Sequence, residues 1–328
     1  MAETEVTISS FECLHSLVPL ETPAEPLQVL LHARLIHISS SAAMADDSGF
    51  EILGALNCSA TRACTLHRTE IGYLGIYQDR PIYIKIYHLR EEAFNEIVVL
   101  AQLKRTNVVK LMGCCFEMER PISILEYVPY SLSNHLFVAN PSSSSPISWE
   151  HRLRIAIEIA YAITYLHIGT SSPIVHRDIK CSNILLDEHF KPKLSDFSLS
   201  VTIPVGETQV ETRIAGTHGY IDPAYICTGF VCEKTDVYSY GVNGIPFWIF
   251  RSGILSTEIT DKEKELKLIL GNGLYMNVNQ VEQAMACMEL AGRCITHNRD
   301  ERPSMKDVTK QLWQIERAEL PTPPFSSS

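Results

Sequence analysis

The spacing of apolar and polar residues predicts two adjacent strands followed by a helix. Ile71–Tyr87 contains two runs rich in β-branched and aromatic residues, separated by the turn-forming segment Gln78–Pro81, and therefore predicts a strand, a turn and a strand. Across Glu91–Lys104 apolar residues recur at intervals of three and four, which predicts one buried face of a helix. Two further apolar runs, 108–112 and 122–125, predict strands, so this part of the chain is expected to form a small sheet-rich lobe.

Beyond Pro129 the pattern changes to that of helices. The segment Trp149–His167 is apolar on nearly all sides, which predicts a helix buried inside a lobe. Two later apolar stripes, Ala284–Ile295 and Met305–Ile315, predict amphipathic helices, and Ser304 is a plausible N-cap for the second. A sheet-rich part followed by a helical part belongs to the α+β class.

These patterns divide the chain into four regions. Residues 1–60 show no assignable element and no recognisable chemistry. Residues 61–128 are the predicted small lobe, residues 129–318 the larger helical lobe, and residues 319–328, rich in Pro and Ser, a flexible tail. A length of 328 residues fits either one bilobal domain or two separate domains.

Composition narrows the possible partners and the compartment. The chain has 28 Lys and Arg residues against 38 Asp and Glu residues, and a net charge of −10 argues against nucleic-acid binding. No apolar run reaches the roughly 18 residues of a transmembrane helix, so we expect no transmembrane segment. The ten cysteines form no C-x-x-C pair and no zinc-like cluster, which is typical of reduced cytosolic thiols. We expect a cytoplasmic protein whose association with the plasma membrane, if any, is through its partners.

The strongest chemical signal is His176-Arg177-Asp178-Ile179-Lys180-Cys181-Ser182-Asn183, followed by Asp196-Phe197. Two aspartates and an amide at this spacing suit phosphoryl transfer. Asp178 is expected to accept the proton of the substrate hydroxyl, while Lys180 steadies the phosphate in transfer. Asn183 and Asp196 are expected to hold Mg²⁺, a hard cation that requires oxygen ligands.

With these motifs the chain resembles the eukaryotic protein kinase family, and more closely the plant receptor-like kinases of the wall-associated type. Other motifs that carry the resemblance are Phe94–Ile97, Asn107–Cys115, Gly216–Pro223, Lys234–Val242 and Glu301–Met305. It covers roughly residues 65 to 317 and implies a two-lobed kinase-like fold, with a small β-rich N-lobe and a larger helical C-lobe. It also implies ATP and Mg²⁺ as cofactors, and Lys180 suggests the Ser/Thr rather than the Tyr class.

The same resemblance implies a nucleotide site. Lys85 takes the place of the family's ATP-binding lysine, which pairs with a helical glutamate, here Glu96. Glu126 and Val128 fall in the hinge segment, whose backbone would face adenine. The expected cofactor-binding residues are Lys85, Glu96, Glu126, Val128 and Leu185.

Several departures from the family pattern affect this nucleotide site. The three glycine-loop positions are Thr65, His67 and Glu70. None is the glycine that lets backbone N–H groups close on phosphates. Tyr83 replaces a small alanine that packs over adenine, and its phenol ring could fill the pocket or turn aside. The interval from Lys85 to Glu96 is short for the family, so the helix that carries Glu96 is expected to lack a turn.

Other departures affect the rest of the fold. Ser198 replaces the glycine of Asp-Phe-Gly, and Ala224 replaces a glutamate that normally forms a buried pair with the arginine at Arg302. Losing one partner of a buried pair costs about 3–5 kcal/mol. The segment Gly241–Phe247 places glycine and proline where a central buried helix is expected to run.

With its catalytic residues kept and its glycine loop lost, the chain resembles the receptor-like cytoplasmic pseudokinases that partner plant immune receptors of the nucleotide-binding, leucine-rich-repeat type. They similarly lose the glycine loop and carry sequences like Phe197–Ser200 and Ile203–Thr208. The preferred hypothesis is a signalling adaptor with weak or absent phosphotransfer, whose partners are receptor kinases or immune receptors.

Two other hypotheses stay open. The first alternative is an active Ser/Thr kinase that transfers the γ-phosphate of ATP to protein hydroxyls, since the acid and amide residues all remain. The second is a defective gene model, with a wrong N-terminus and a mis-spliced segment near 243–260, since residues 243–254 fit the family poorly. In the adaptor and in the active kinase alike, Arg177 predicts an activation segment controlled by phosphorylation, with Thr208 and Thr212 as candidate sites. The alternative is that both are simply exposed threonines of a loop.

Overall fold

The computed structural model describes residues 36–37, 60–62, 71–77, 80–116, 120–137, 147–243 and 276–317. The chain divides into two compact units. Unit 1 comprises residues 1–129 and 195–200, and unit 2 comprises residues 130–194 and 201–328. The predicted glycine-loop positions Thr65, His67 and Glu70, most of the 243–260 segment and both chain termini lie outside the described residues.

Unit 1 contains a six-stranded sheet and a helix, α1, which spans Arg90–Gln102. The strands are β1 (Ile36–His37), β2 (Ala60–Arg62), β3 (Ile71–Tyr77), β4 (Arg80–Ile86), β5 (Leu111–Cys115) and β6 (Ile122–Glu126). Their order in the sheet is β1-β5-β6-β4-β3-β2, with β1 and β5 parallel and the other neighbours antiparallel. The strand pair predicted across residues 71–87 is therefore present as β3 and β4.

Strand β4 shows how the sequence places the site. Ile82, Ile84 and Ile86 are buried in one apolar cluster that also contains Tyr73 and Ile122. Because successive side chains of a strand point to opposite faces, Tyr83 and Lys85 lie together on the other face. The apolar face anchors β4 in the sheet, and the opposite face carries the chemistry.

Two predictions around α1 have different outcomes. The helix forms as its apolar spacing predicts, with Ala93, Ile97 and Leu100 buried along one side. The strand predicted at 108–112 instead starts at Leu111: Val108 and Val109 are buried, but Val108 forms only an isolated bridge and Val109 lies outside the ladder of β5 with β6.

Unit 2 is mainly helical. Its helices are α2 (Leu132–Phe137), α3 (Trp149–Ile168), α4 (Pro223–Thr228), α5 (Glu233–Val242), α6 (Val278–Cys294) and α7 (Met305–Arg317). Its strands are short: β7 (Tyr130–Ser131), β8 (Ile174–Val175), β9 (Ile184–Leu186), β10 (Pro192–Leu194), β11 (Val201–Thr202), β12 (Val210–Glu211) and β13 (Phe230–Val231). They form three small sheets, β10-β9-β7, β11-β8 and β12-β13. The α+β class predicted from the sequence is thus confirmed.

Helix α3 forms the centre of the core of unit 2, as its apolar character predicts. Trp149, Ile155 and Ile163 are among its buried residues, and the Ser148 hydroxyl caps it by accepting the His151 N–H. The predicted cap of α7 also forms, since the Ser304 hydroxyl accepts the Asp307 N–H at 3.2 Å. Among the helices of the described segments, none has both the length and the hydrophobicity to cross a membrane.

Gly241 is a packing residue of α5 and does not damage the helix. A Cβ at this position would lie 2.6 Å from the Cβ of Cys294, so only glycine lets α5 approach α6 this closely. Gly241 is helical and α5 ends one residue later, at Val242, while Pro246 lies outside the described residues, so the damage expected there stays a prediction.

The expected loss of a partner for Arg302 is also wrong. Asp222 supplies the carboxylate, with the Nη1 of Arg302 2.9 Å from Oδ2 and the Nη2 2.9 Å from Oδ1. Both side chains are fully buried, and Arg299 adds a third contact through Nε at 3.0 Å. Asp222 therefore neutralises Arg302 in place of the glutamate that Ala224 replaces.

Candidate active site

Unit 1 brings three of the predicted site residues together. The Lys85 Nζ on β4 lies 2.7 Å from the Glu96 Oε2 on α1 and 3.0 Å from the Asp196 Oδ1. The side chains of Lys85 and Glu96 are almost completely buried, and that of Asp196 is 18% exposed. The ion pair forms although the interval between Lys85 and Glu96 is short, because α1 begins at Arg90 and places Glu96 in its second turn.

A buried hydroxyl network supports this ion pair, and the sequence alone did not predict it. The Tyr87 hydroxyl donates to the Glu96 Oε2 at 2.8 Å and lies 2.8 Å from the Ser123 Oγ. Burial, followed by the negative charge of Glu96, raises the pKa of Tyr87 well above its ordinary value. The phenol therefore stays protonated and acts as a permanent donor to Glu96.

The side chain of Tyr83 packs over Gly72 of β3, on the face that carries Lys85. A Cβ added to Gly72 would overlap the Tyr83 hydroxyl and lie 2.5 Å from Cζ and 2.7 Å from Cε2 of the ring. Gly72 is the direct partner of Lys85 in the antiparallel pair of β3 and β4. The absence of a side chain at Gly72 thus makes room for the Tyr83 ring beside the lysine.

Glu126 and Val128, expected at the adenine-facing segment, lie at and just after the end of β6. The Glu126 N–H donates to the Lys110 carbonyl at 3.0 Å, and its side chain accepts the Lys110 N–H at 2.7 Å. Val128 is buried. Glu126 therefore joins the end of β6 to the residue just before β5.

Unit 2 brings together the other predicted residues around Asp178. The Lys180 Nζ lies 2.6 Å from the Asp178 Oδ2, and the Asn183 Nδ2 donates to the backbone carbonyl of Asp178 at 2.8 Å and to its Oδ2 at 3.0 Å. The Nδ2 of Asn183 is thus the atom that contacts Asp178, and its amide oxygen is the atom that would bind Mg²⁺. Leu185, the remaining predicted residue, lies in β9 and pairs with Ser131 and Lys193.

Thr217 is a site residue that sequence reasoning missed. Its backbone N–H and hydroxyl donate to the Asp178 Oδ1 at 2.9 Å and 2.6 Å, and Lys180 donates to the same hydroxyl at 2.7 Å. It lies in the quoted motif Gly216–Pro223, but its position in the motif gave no indication of this contact.

A buried carboxylate fixes the backbone that carries Asp178. Asp236 on α5 accepts the N–H groups of His176 and Arg177 at 2.8 Å and 2.9 Å, and lies 3.0 Å from the His167 Nε2. Arg177 has a φ of 68°, which is costly for a side chain other than glycine and persists only where surrounding bonds hold it. Its guanidinium reaches the Thr212 hydroxyl at 3.3 Å, so Thr212 is the candidate phosphorylation site that Arg177 contacts.

Asn243 gives the same loop a second support. Its amide donates to the carbonyl of Ile179 at 2.8 Å and to that of Ser239 at 2.7 Å, and its oxygen accepts from the Cys181 thiol at 3.3 Å. Burial raises the pKa of Cys181 to about 12, so the thiol keeps the proton that it donates. The segment just after α5 therefore stabilises the loop of Asp178.

Comparison with known proteins agrees with this geometry. The family described as protein tyrosine and serine/threonine kinase matches residues 78–312. Wall-associated receptor kinase-like 1 of Arabidopsis thaliana is 41% identical over 238 residues, which are 69% of this chain and 32% of the relative. Wall-associated receptor kinase 5 of the same plant is 40% identical over 259 residues, 73% of this chain and 35% of the relative. The chain thus spans about a third of the length of these curated relatives.

The matched residues include both polar sets, that of Lys85 and that of Asp178. Members of this family bind ATP and Mg²⁺. The described elements also have the expected distribution, with a β-rich sheet in unit 1 and helices in unit 2. The chain belongs to the protein tyrosine and serine/threonine kinase family and is homologous to the wall-associated receptor kinases of Arabidopsis.

Proposed function

We propose that this chain is a plant signalling adaptor built on a kinase fold, with impaired transfer of phosphate from ATP. The observation that carries the proposal is the packing of the Tyr83 ring against Gly72, on the face of the sheet that holds Lys85. In the kinases that the chain resembles, a small alanine at this position packs over the adenine ring. A phenol ring in its place occupies volume that a nucleotide base requires.

The position of Gly72 favours occlusion over a ring that turns aside. The side chain of Tyr83 extends from β4 across β3, and any residue larger than glycine at position 72 would collide with it. The ring thus rests on the sheet surface in a space kept open by a glycine. Close packing of this kind is lost if the ring leaves, since the side chains around it cannot follow.

An active Ser/Thr kinase is the second candidate, and a different observation favours it. The Lys85–Glu96 pair is formed at 2.7 Å, and Asp178 is held by Lys180 and Thr217. Phosphotransfer in this family needs these charges, and all are present in bonded positions. Among the residues described, the two candidates therefore differ in whether the nucleotide base is admitted.

The partners we propose are receptor kinases or immune receptors at the plasma membrane. Two features support this assignment. The curated relatives carry the words receptor kinase in their names, and the segments Phe197–Ser200 and Ile203–Thr208 resemble those of pseudokinases that partner immune receptors. An adaptor needs a stable fold and an accessible surface, and does not need turnover.

Phosphate incorporation tests the proposal. The purified full chain is incubated with Mg-ATP labelled at the γ-phosphate and a general protein substrate, beside its Asp178→Asn variant and an active wall-associated kinase domain. We expect the wild-type signal to equal that of Asp178→Asn, while the active domain labels the substrate. Labelling by the wild type that Asp178→Asn abolishes would contradict the proposal and establish the active kinase.

A further inference from the structure

The Asp196 carboxylate, expected to hold Mg²⁺, is bound by two donors within unit 1. Its Oδ1 accepts from the Lys85 Nζ at 3.0 Å and from the Ser198 hydroxyl at 2.7 Å. Hydrogen bonds to an ionised group are the strong ones, and each occupies a lone pair that a metal would otherwise use. The carboxylate oxygen is therefore already engaged by protein groups on two sides.

Ser198 is the donor that distinguishes this chain from the kinases that it resembles. They have glycine at this position, which has no hydroxyl and cannot make the bond. The contact spans only two residues, so the local turn of the backbone sets its geometry. Replacing glycine with serine has thus added a donor directly beside the expected metal ligand.

Helix α1 holds this turn in place through Asn95. The Nδ2 of Asn95 lies 3.2, 2.9 and 2.7 Å from the carbonyl oxygens of Phe197, Ser198 and Ser200. Asp196 itself has a φ of 62°, in the left-handed region that favours glycine. A strained residue keeps such a conformation when its surroundings fix it, and the three carbonyls bound to Asn95 provide that restraint. The Ser198 hydroxyl is consequently held toward Asp196.

We propose that Ser198 is a positioning residue that keeps the Asp196 carboxylate on Lys85 and weakens it as a ligand for divalent metal ions. A metal that approaches Asp196 must displace the serine hydroxyl and compete with the lysine ammonium for the same oxygen. The inference rests on the proposed function, because it assigns a second cause, independent of Tyr83, to the impaired phosphotransfer.

Binding of Mn²⁺ in the absence of nucleotide tests this role directly. Free Mn²⁺ is measured by electron paramagnetic resonance with the full chain and with Ser198→Ala and Ser198→Gly. We expect each variant to bind Mn²⁺ about tenfold more tightly than the wild type, the effect of removing one hydrogen bond to a charged group. Asp196→Asn combined with Ser198→Ala should return the affinity to the wild-type level or below.

Two control variants distinguish the positioning of Asp196 by Ser198 from a general loss of order in residues 196–200. Ser198→Thr keeps a hydroxyl and should retain wild-type Mn²⁺ affinity. Ser200→Ala removes a neighbouring buried hydroxyl that donates to the Phe197 carbonyl and not to Asp196, and should also leave the affinity unchanged. If circular dichroism shows that Ser198→Gly has lost structure, the Mn²⁺ affinity of Ser198→Ala alone tests the inference.

Equal Mn²⁺ affinities for the wild type and Ser198→Ala, within twofold, would overturn the inference, as would a weaker affinity in the variant. Because no nucleotide is present, neither result depends on Tyr83. Phosphotransfer by the wild type would overturn the proposed function and leave the Mn²⁺ result standing, so the two failures are distinguishable.

Discussion

The two polar sets of this kinase domain retain their charges but differ in what has been added beside them. Around Asp178 in unit 2, Lys180, Asn183 and Thr217 all bond the aspartate, and Asp236 fixes the backbone beneath it. Around Lys85 in unit 1, the ion pair to Glu96 is equally well formed. There, however, the ring of Tyr83 packs on the same face of the sheet as Lys85.

In the function that we propose, this kinase site is impaired by addition as well as by loss. None of the charged residues that the family's chemistry requires is missing from the described parts of the two sets. Tyr83 adds volume, made possible by Gly72, and Ser198 adds a hydrogen-bond donor to Asp196. The polar sets are therefore also structural, and they should contribute to stability whether or not phosphate is transferred.

The largest expected effect is on the scaffold of unit 2. Asp222→Asn leaves Arg302, fully buried, without its counter-charge, and should lower the free energy of unfolding by about 3–5 kcal/mol. Urea denaturation measures the loss. Asp300→Asn, at an exposed position, should change it by less than about 0.5 kcal/mol. A change of less than about 1 kcal/mol in Asp222→Asn would show that the Asp222–Arg302 pair does not replace the glutamate–arginine pair lost at Ala224.

A smaller loss is expected from the network behind Lys85 in unit 1. Tyr87→Phe removes the hydroxyl that bonds Glu96 and should cost about 1.5–3 kcal/mol, the range for hydrogen bonds to charged groups. Tyr130→Phe, at an exposed position of β7, is the matched control and should be near neutral. Because the folded-state pKa of Tyr87 is raised, its stabilisation should persist below the ordinary tyrosine pKa near 10 and fall as the pH rises further. Equal stabilities of the two variants would show that the Tyr87 hydroxyl contributes nothing to unit 1.

The smallest effect compares two glycines of unit 2. Gly241→Ala places a Cβ 2.6 Å from that of Cys294 and should destabilise by about 1–3 kcal/mol through overpacking. Gly292→Ala meets nothing within 4 Å and should stabilise α6 by about 0.5–1 kcal/mol, because alanine favours the helix. Thermal unfolding of both variants should show a lower melting temperature for Gly241→Ala and a higher one for Gly292→Ala. An unchanged melting temperature of Gly241→Ala would contradict the packing role of this glycine.

The sequence predicted the longer helices and strands and the charged members of both polar sets, but neither the short strands of unit 2 nor Thr217. Its apolar spacing located α1, α3 and the β3–β4 pair, since those signals depend on neighbours along the chain. It missed β1, whose two residues pair in parallel with distant β5 and have no periodicity of their own. The start of β5 was misplaced because Val108 and Val109 are buried without joining the ladder, and hydropathy reports burial and not pairing.

The interactions that distinguish this site were harder to predict. Tyr83 was recognised as unusual, but its contact with Gly72 depends on the register of two strands, which a single sequence does not fix. Asp222 was not recognised as the partner of Arg302, because the local turn decides which nearby carboxylate faces the arginine. Asn95 and Thr217 lie in recognisable motifs, yet their roles follow only from the segments that they contact.

The most direct test of the account is calorimetric measurement of ATP binding to the wild type, Tyr83→Ala and Tyr83→Phe. If the ring fills the base pocket, the wild type and Tyr83→Phe should show no binding at millimolar ATP. Tyr83→Ala should then bind ATP with a dissociation constant at least tenfold below the millimolar range. Equal ATP affinities in all three proteins would contradict the claim that Tyr83 excludes the nucleotide.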